Sequence, residues 1–304
     1  MNEAPTGRLP HELARKWGRN VTGVYIPDLH CPYTRPDYWA WMLGRVEDLR
    51  PDFVVQLGDW LDVEFTDRFP NDGSHDGGDE YAIAARQAAE LDGVLKKRCP
   101  RFLHEGNHEW RINPANPAIP AKLRRLVHWE NYDNPNDEHS LRAEWRKWRR
   151  VPYTKERRGV LEIGQVASWH GYRTGGTAKT LEPVEMLQMS VGMDWTLGLS
   201  GHTHSLHQPY RLKRTETVQM NAWAANPGTG GELKPDFVQK SNTSSWAGGI
   251  AVVNLRLDEP SALGGRSWDC EVEAFDNVKG YSDEWRETRR EMRTEQRSSV
   301  GVRR

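Results

Sequence analysis

The sequence predicts an α/β fold, because segments typical of strands and helices alternate along its first half. Short apolar runs next to turn-forming residues predict strands at 21–27, 53–57 and 101–104. The segments 37–49 and 79–97 lie between these strands and place apolar residues at helical spacing. Alternation of this kind favours βαβ units, so we expect a largely parallel sheet in the first half.

The rest of the chain predicts further elements and no internal repeat. A short helix or arm is expected at 10–19, and a loop rich in Gly and Asp at 72–78. Helices are predicted at 138–150 and 177–190, the second broken or started near Pro183. Strands are predicted at 160–169 (two short strands), 195–199, 206–212, 216–224, 249–256 and 270–276.

Length and composition favour one soluble globular domain over residues 1–304. The chain is 37% hydrophobic and 28% charged, which is enough apolar content for a packed core. Two features depart from that domain: an irregular insertion at about 113–150, and a charged tail from about residue 282. The net charge is −1, so no overall basic field would attract nucleic acid.

The cysteine count and the hydropathy pattern indicate a cytoplasmic protein without a membrane segment. Three cysteines without a Cys-x-x-Cys pair form neither a disulfide framework nor a structural zinc knuckle. The first twenty residues lack the apolar core of a signal peptide. No apolar stretch reaches the length of about 18 residues that a membrane span needs.

Five short polar motifs follow predicted strands, where α/β sheets present their ligand-binding loops. A single histidine is more often structural than functional, but an ordered set of ligand-type residues is hard to explain by chance. The motifs are Asp28-Leu29-His30, Gly58-Asp59, Gly106-Asn107-His108-Glu109, His170-Gly171 and Gly201-His202-Thr203-His204.

The side chains in these motifs predict a metal site. Carboxylates, imidazoles and an amide oxygen suit manganese, iron or zinc better than copper. On an extended strand Asp28 and His30 would point to the same side, because they are two residues apart. Asp59 is the natural candidate to bridge two metals, and such a pair can clamp a phosphate and activate water.

The ordered set D-x-H, G-D, G-N-H-E, H and G-H-x-H resembles the calcineurin-like metallophosphoesterase superfamily. The resemblance covers residues 21 to about 256 and implies a four-layer sandwich: two mixed β-sheets packed face to face, with helices outside. It also implies the metal ligands. One metal would be held by Asp28, His30 and His204, the other by Asn107, His170 and His202, with Asp59 bridging.

The resemblance implies two further roles at the site. His108 would be a residue that does not bind metal but acts as an acid or contacts the phosphate. Asp62 stands where phosphatases of this superfamily pair an Asp with that histidine, and would keep the imidazole protonated. An ordinary turn or helix-capping aspartate is the alternative for Asp62.

The sequence departs from the phosphoserine and phosphothreonine phosphatases of the superfamily at two positions. Those enzymes resemble one another in two arginines, where this chain has Val63 and Glu105. Protein-phosphatase activity is therefore not expected. Three other cations, Arg111, Arg173 and Lys179, are available to replace the missing guanidiniums.

A helix-like segment with basic residues allows two interpretations. Leu141, Trp145 and Trp148 recur at helical spacing among five basic residues. They form either an aromatic clamp for a nucleic-acid strand or a helix that buries its tryptophans. Periodicity alone favours the second.

The function predicted from these observations is metal-dependent hydrolysis of a phosphate ester. The leading substrate is a phosphodiester in a nucleotide or nucleic acid, and the alternative is a phosphomonoester of a small molecule or phosphoprotein. A non-catalytic, metal-dependent binding protein is the alternative from another class. The expected cofactors are two divalent metal ions, most readily manganese, with iron, zinc, nickel or magnesium as alternatives.

Overall fold

Two mixed β-sheets with helices around them form the described part of the chain. A computed structural model describes residues 11–16, 19–63, 66, 77–119, 128, 140–153, 159–174, 176–189, 195–212, 222–233, 246–257 and 267–275. Within these ranges the strands are β1 (Asn20–Ile26), β2 (Phe53–Gln56), β3 (Arg101–His104), β4 (Arg149–Val151), β5 (Leu161–Ile163), β6 (Val166–Trp169), β7 (Leu197–Ser200), β8 (Leu206–Arg211), β9 (Trp223–Pro227), β10 (Gly249–Arg256) and β11 (Trp268–Ala274).

Helices lie between strands of both sheets in the chain. Within the described ranges they are α1 (His11–Ala14), α2 (Pro36–Leu49), α3 (Gly77–Val94), α4 (Asn107–Ile112), α5 (Leu141–Trp145), α6 (Gly176–Thr180) and α7 (Glu182–Met189). No helix in these ranges is long and apolar enough to cross a membrane.

Both sheets combine parallel and antiparallel pairs. The first has the order β11-β10-β1-β2-β3-β4, with parallel pairing from β1 to β4 and antiparallel pairing from β1 through β10 to β11. The second has the order β5-β6-β7-β9-β8, with β6, β7 and β9 parallel. The parallel strands of each sheet therefore end at a common edge, where their following loops meet.

The core between the sheets follows from the alternation of side chains along the strands. In β2, Phe53 and Val55 point into a buried cluster that also contains Leu197 and Leu199 of the second sheet. Val54, between them, points to the opposite side and packs in the cluster beneath the helices. This period of two is what a strand buried on both faces requires.

The outer faces of both sheets are covered by helices, which completes four layers. Trp41 of α2 and Ala84 of α3 pack with strand residues such as Val54. On the other side, Met186 of α7 packs against Trp169 and Trp195. The predicted four-layer α/β sandwich of two mixed sheets is confirmed, while the single-domain organisation of the whole chain stays a prediction.

Most predicted elements of the sheets are confirmed, but the segment 138–150 is not one helix. The helix ends at Trp145, and Arg149–Val151 forms β4 instead, paired in parallel with β3. The edge of β3 offers backbone hydrogen bonds that outweigh the weak preference of these residues for a helix. Of the predicted strand 216–224, the described part overlaps β9, which spans Trp223–Pro227.

Several predicted segments lie outside the described residues. They are most of the loop at 72–78, much of the insertion at 113–150, the stretch 213–221 before β9, and the tail from residue 282.

The tryptophans near α5 are buried. The rings of Trp145 and Trp148 lie 5.9 Å and 5.3 Å from the ring of Trp60, between centroids. All three residues are at most 4% exposed, whereas Arg146 and Lys147 face solvent. Burial of the tryptophans is confirmed, although Trp148 lies just beyond α5, and these rings are not available to stack on a nucleic-acid base.

We predict that Phe53→Ala costs about 3–5 kcal/mol of unfolding free energy, the usual scale for removing a fully buried aromatic ring. Phe53 is completely buried, and its ring packs edge-to-face on Tyr25 with 5.9 Å between centroids. Urea unfolding monitored by tryptophan fluorescence measures the change. Glu271→Gln, on the exposed side of the edge strand β11, should change stability by less than about 0.5 kcal/mol. Equal effects of the two substitutions would contradict the assigned inter-sheet core.

Candidate metal centre

The five polar motifs meet at one edge of the two sheets. Each lies directly beyond the carboxyl end of a parallel strand, where the loops of neighbouring strands converge. Three come from the first sheet and two from the second, so the face-to-face packing of the sheets brings them together. The strands concerned are β1, β2 and β3 of the first sheet, and β6 and β7 of the second.

One cluster combines Asp28, His30 and His204. Their potential ligand atoms all lie within 4.8 Å of one another. The two histidine Nε2 atoms are 2.9 Å apart, and Nε2 of His204 lies 3.3 Å from Oδ2 of Asp28. Their spacing in the sequence predicts that the side chains of Asp28 and His30 point to the same side of an extended strand. They do converge, but His30 has a φ of 49°, so a left-handed turn and not a strand aims its side chain.

A second cluster combines Asp59, His170 and His202, also within 4.8 Å. Nε2 of His170 lies 3.1 Å from Oδ2 of Asp59 and 2.9 Å from Oδ1 of Asn107. The structure therefore brings all seven predicted ligand residues to one place, in two adjacent groups. A third group of potential ligands, His30, Asp62 and His108, adjoins them, and the assignment of the ligands to two metals stays a prediction.

Hydrogen bonds on the outer sides of two rings aim their Nε2 atoms at the clusters. Nδ1 of His170 donates to the backbone oxygen of Leu57 at 2.9 Å, so the neutral ring has an unprotonated Nε2. Nδ1 of His30 donates to the carboxylate of Asp62 at 2.8 Å, with the same consequence. Such outer partners fix the tautomer and orientation of metal-binding histidines.

The inward-facing atoms need a positive charge between them. With its proton on Nδ1, His170 directs a lone pair at two oxygens, those of Asp59 and Asn107. Burial alone would lower the pKa of His170, but Asp59 and Asp28 raise it to about 10. For His30 burial is likewise outweighed, mainly by Asp62, and its pKa rises to about 9. A cation at the clusters would satisfy the same lone pairs.

Asp28 gives an independent indication of a cation. It is fully buried, and its Oδ1 has no hydrogen-bond partner among the residues that the structure describes. A buried carboxylate oxygen without a partner is costly unless a positive charge lies beside it. The residues present therefore fit a divalent metal bound by oxygen and nitrogen. Cys31 is not part of this set, because its thiol donates to the backbone oxygen of Glu80.

Four of the seven residues have a backbone conformation that residues other than glycine rarely adopt. Left-handed φ angles of 49°, 49°, 67° and 57° occur at His30, Asp59, His202 and His204. Each such residue stores backbone strain, and strain of this kind concentrates at functional sites. Surrounding bonds hold the loops in place: Asp59 accepts a hydrogen bond at its backbone oxygen from His30 N–H, and Asp28 Oδ2 accepts one from His202 N–H, at 2.9 Å and 2.7 Å.

Two motif glycines are required by close approach of the carboxylates. A Cβ atom on Gly106 would lie 2.1 Å from Oδ1 of Asp59, and one on Gly201 would lie 2.3 Å from Oδ1 of Asp28. No side chain tolerates contacts that short. The glycines therefore leave room for the two acidic groups to sit against the backbone.

Glu109 is a positioning residue to which the sequence analysis gave no role. Its buried carboxylate accepts three backbone hydrogen bonds, from Gly106, Asp59 and Leu61, at 2.9, 3.1 and 2.9 Å. Burial and the nearby Asp59 raise its pKa above the ordinary value for a glutamate. The signal was present in the sequence: Glu109 is the third residue of α4, where a glutamate commonly bonds back to the residue that caps the helix.

The expected pairing of Asp62 with His108 is different in the structure. The carboxylate of Asp62 hydrogen-bonds His30, and its Oδ1 lies 3.4 Å from Nδ1 of His108. Nδ1 of His108 donates to the backbone oxygen of Asp62, at 2.5 Å. Burial lowers the pKa of His108, and Asp59 and Asp62 do not restore it. Asp62 therefore orients a candidate ligand and also lies beside His108, and its effect on the protonation of His108 stays a prediction.

The tautomer of His108 is determined by its two partners. A backbone oxygen only accepts, so the proton lies on Nδ1. A guanidinium only donates, and Nη2 of Arg111 lies 3.2 Å from Nε2, which must therefore be the acceptor. His108 thus presents an unprotonated Nε2, 3.9 Å from Oδ2 of Asp59.

The two positions that lack arginine have other local roles. Val63 is buried, and its backbone N–H donates to Glu80 at 2.5 Å. Glu105 is buried and accepts hydrogen bonds from Arg150 at 3.3 Å and from the backbone N–H of Tyr153 at 2.9 Å. Its carboxylate is thereby compensated and does not repel a phosphate dianion.

The three cations considered as replacements have separate positions. Arg111 contacts His108 within the site. Arg173 pairs with Glu185 on α7, with 3.0 Å between Nε and Oε2. Lys179 lies over the ring of Tyr210, 5.0 Å from its centroid.

We predict that Glu109→Gln lowers metal affinity roughly 10- to 100-fold, the usual effect of losing a partner behind the ligands. A glutamine has one acceptor oxygen, and its NH₂ group would face the N–H groups of Gly106 and Asp59. Competition with a chelating dye measures the affinity, and circular dichroism confirms folding. Glu271→Gln on the exposed edge strand is the matched control. Unchanged affinity in folded Glu109→Gln would limit this residue to loop structure.

Comparison with known proteins gives matches to solved structures. No protein-family profile and no curated protein matches the chain. Similar structures include a metallophosphoesterase from Sphaerobacter thermophilus (14% identity, 85% of this chain, 89% of the other, TM-score 0.41). Others are vacuolar protein sorting 29 from Cryptosporidium parvum (14%, 84% and 98%, TM-score 0.37) and a phosphoesterase from E. coli (14%, 77% and 91%, TM-score 0.36).

These values describe a remote likeness that says nothing about activity. The arrangement of the chain's own motifs is more informative about its family than these values are. Its two mixed sheets gather all five ordered motifs at one edge. In this arrangement of motifs and fold, the chain resembles the calcineurin-like metallophosphoesterase superfamily.

Proposed function

We propose that the chain hydrolyses phosphate esters at a centre of two divalent metal ions. The observation that carries this proposal is the convergence of imidazole Nε2 atoms and buried carboxylate oxygens in adjacent clusters. In the proposal one ion is bound by Asp28, His30 and His204, and the other by Asn107, His170 and His202. Asp59 bridges the two.

Bound metals would supply Lewis acidity toward the phosphate and a water activated for attack. The protein's own part is to hold the ligands in place. Glu109 and the glycines fix the Asp59 loop, while Leu57 and Asp62 fix the rings of His170 and His30. Preorganised ligands avoid reorganisation during the reaction.

His108 is proposed to act on the substrate without binding metal. Its Nδ1 carries a proton and donates a hydrogen bond to the backbone oxygen of Asp62, while its Nε2 faces Asp59. To stabilise or protonate a leaving oxygen, Nε2 must first gain a proton, which requires Arg111 to leave it. A general acid of this kind contributes roughly 10²- to 10⁴-fold to rate.

The leading substrate class is a phosphodiester, in a nucleotide or nucleic acid. A phosphomonoester dianion carries more charge than a diester, and enzymes for it commonly use paired guanidiniums. Val63 and Glu105 supply none, and Arg111 alone, among the three cations considered, contacts a candidate site residue. One guanidinium with two metals suits a singly charged diester. Glu105 does not contribute to this preference, because its carboxylate is compensated by Arg150 and the backbone of Tyr153.

The donor set and the cysteines suggest the metal and the compartment. Manganese fits the oxygen and nitrogen donor set, with iron, zinc, nickel and magnesium as alternatives. The three cysteines are free, which fits a reducing cytoplasm. The competing functions are phosphomonoester hydrolysis and metal-dependent binding without catalysis.

We predict that metal-loaded protein contains nearly two ions per chain, and that Asp59→Asn lowers the occupancy of both. A single carboxylate that serves two ions cannot be replaced by an amide without weakening both sites. Elemental analysis after dialysis measures the content. Asp269→Asn, at an exposed position of β11, is the control and should retain both ions. Two ions in the Asp59→Asn protein would remove the bridging role.

We predict that kcat/KM for bis-p-nitrophenyl phosphate exceeds that for p-nitrophenyl phosphate in the same manganese buffer. The physical reason is the lack of paired guanidiniums for a dianion. A tenfold advantage of the monoester would reverse the substrate assignment. If protein with two bound ions turned over neither ester, the hydrolase proposal would give way to the binding protein.

A further inference from the structure

Arg111 occupies a position that points to a role of its own. It lies three residues after His108 on α4, and residues at that spacing share one face of a helix. Its guanidinium reaches back to the imidazole, with 3.2 Å between Nη2 and Nε2. The contact places a positive charge one ring away from Asp59, since the same Nε2 lies 3.9 Å from Oδ2 of that residue.

The contact between Arg111 and His108 is weak for a guanidinium. A neutral imidazole nitrogen offers one lone pair and no charge, whereas phosphate oxygens offer charged acceptors in a geometry that a guanidinium can match with two hydrogen bonds. The carboxylate of Asp62, on which the charge of Arg111 acts, is hydrogen-bonded to His30. An anion at the metal clusters would therefore be a better acceptor for Arg111 than the imidazole of His108.

We propose that Arg111 is the phosphate-binding guanidinium of this site, and that bound phosphate draws it away from Nε2 of His108. The inference rests on the proposed function, since it takes a phosphate group at the two clusters as the ligand. Arg111, on α4, would take the role of the arginines that are absent at positions 63 and 105. The transfer would also free Nε2 of His108 to face the substrate.

The competing explanation is that Arg111 only steadies the ring of His108. The two explanations differ when His108 is removed. If Arg111 only positions His108, its loss should have no further effect in a His108→Ala background. If Arg111 binds phosphate itself, its loss should weaken phosphate binding in both backgrounds.

The test is calorimetric titration of metal-loaded protein with inorganic phosphate, after excess metal is removed. Arg111→Ala should raise the Kd for phosphate roughly tenfold or more, the scale of one charge-assisted hydrogen bond. Arg111→Lys, which keeps the charge but not the planar fork, should fall between wild type and Arg111→Ala. The double variant with His108→Ala should bind more weakly than His108→Ala alone.

Arg173→Ala is the matched control, because it removes a guanidinium that pairs with Glu185 away from the clusters. It should leave the Kd unchanged, and metal content should be normal in every variant. An unchanged Kd in Arg111→Ala, or no added effect in the His108→Ala background, would overturn the proposal.

The readout separates this inference from the proposed hydrolysis. If wild type bound phosphate through Arg111 but turned over no ester, the guanidinium assignment would stand and the enzymatic proposal would fall. If esters were hydrolysed and Arg111→Ala bound phosphate normally, the reverse would hold.

Discussion

The burial of two carboxylates, Asp28 and Asp59, at the common edge of the sheets is the constraint on which the rest of the site depends. Both are almost completely excluded from solvent, and a buried charge without compensation costs several kcal/mol. Hydrogen bonds from backbone N–H groups, among them those of His108 and His202, and nearby imidazoles offset part of that cost. The remaining lone pairs face one another and favour a cation. The fold therefore creates an electrostatic demand that the candidate metal centre meets.

That demand explains why the loops adopt unfavourable conformations. At His30, Asp59 and the two histidines of the last motif the backbone turns sharply, with left-handed φ angles, and these turns aim the side chains at the clusters. The strain is supported by neighbours: Glu109 accepts three backbone N–H groups, and Gly106 and Gly201 leave space for the acids. Rigid strands hold the loop ends, so the cost is spread over the sheets.

The groups around His108 illustrate how one partner changes a chemical role. With Asp62 bonded to His30, the imidazole of His108 is held by a backbone oxygen and a guanidinium, and the charge of the guanidinium favours the neutral ring. A phosphate that attracts Arg111 would change this environment at the moment of binding. Substrate recognition and the proton state of His108 would then depend on the same arginine.

The sequence by itself determined the alternation of strands and helices, the order of the five motifs and the oxygen and nitrogen character of the site. These are local properties, set by periodicity within an element and by motifs at strand ends. Only the tertiary structure decided that β4 continues the first sheet after α5, that Asp62 serves His30, that Glu109 holds the Asp59 loop, and that Arg111 reaches His108. Each of these depends on which groups lie within about 3 Å once the chain has packed, and local pattern does not encode distances between separate loops.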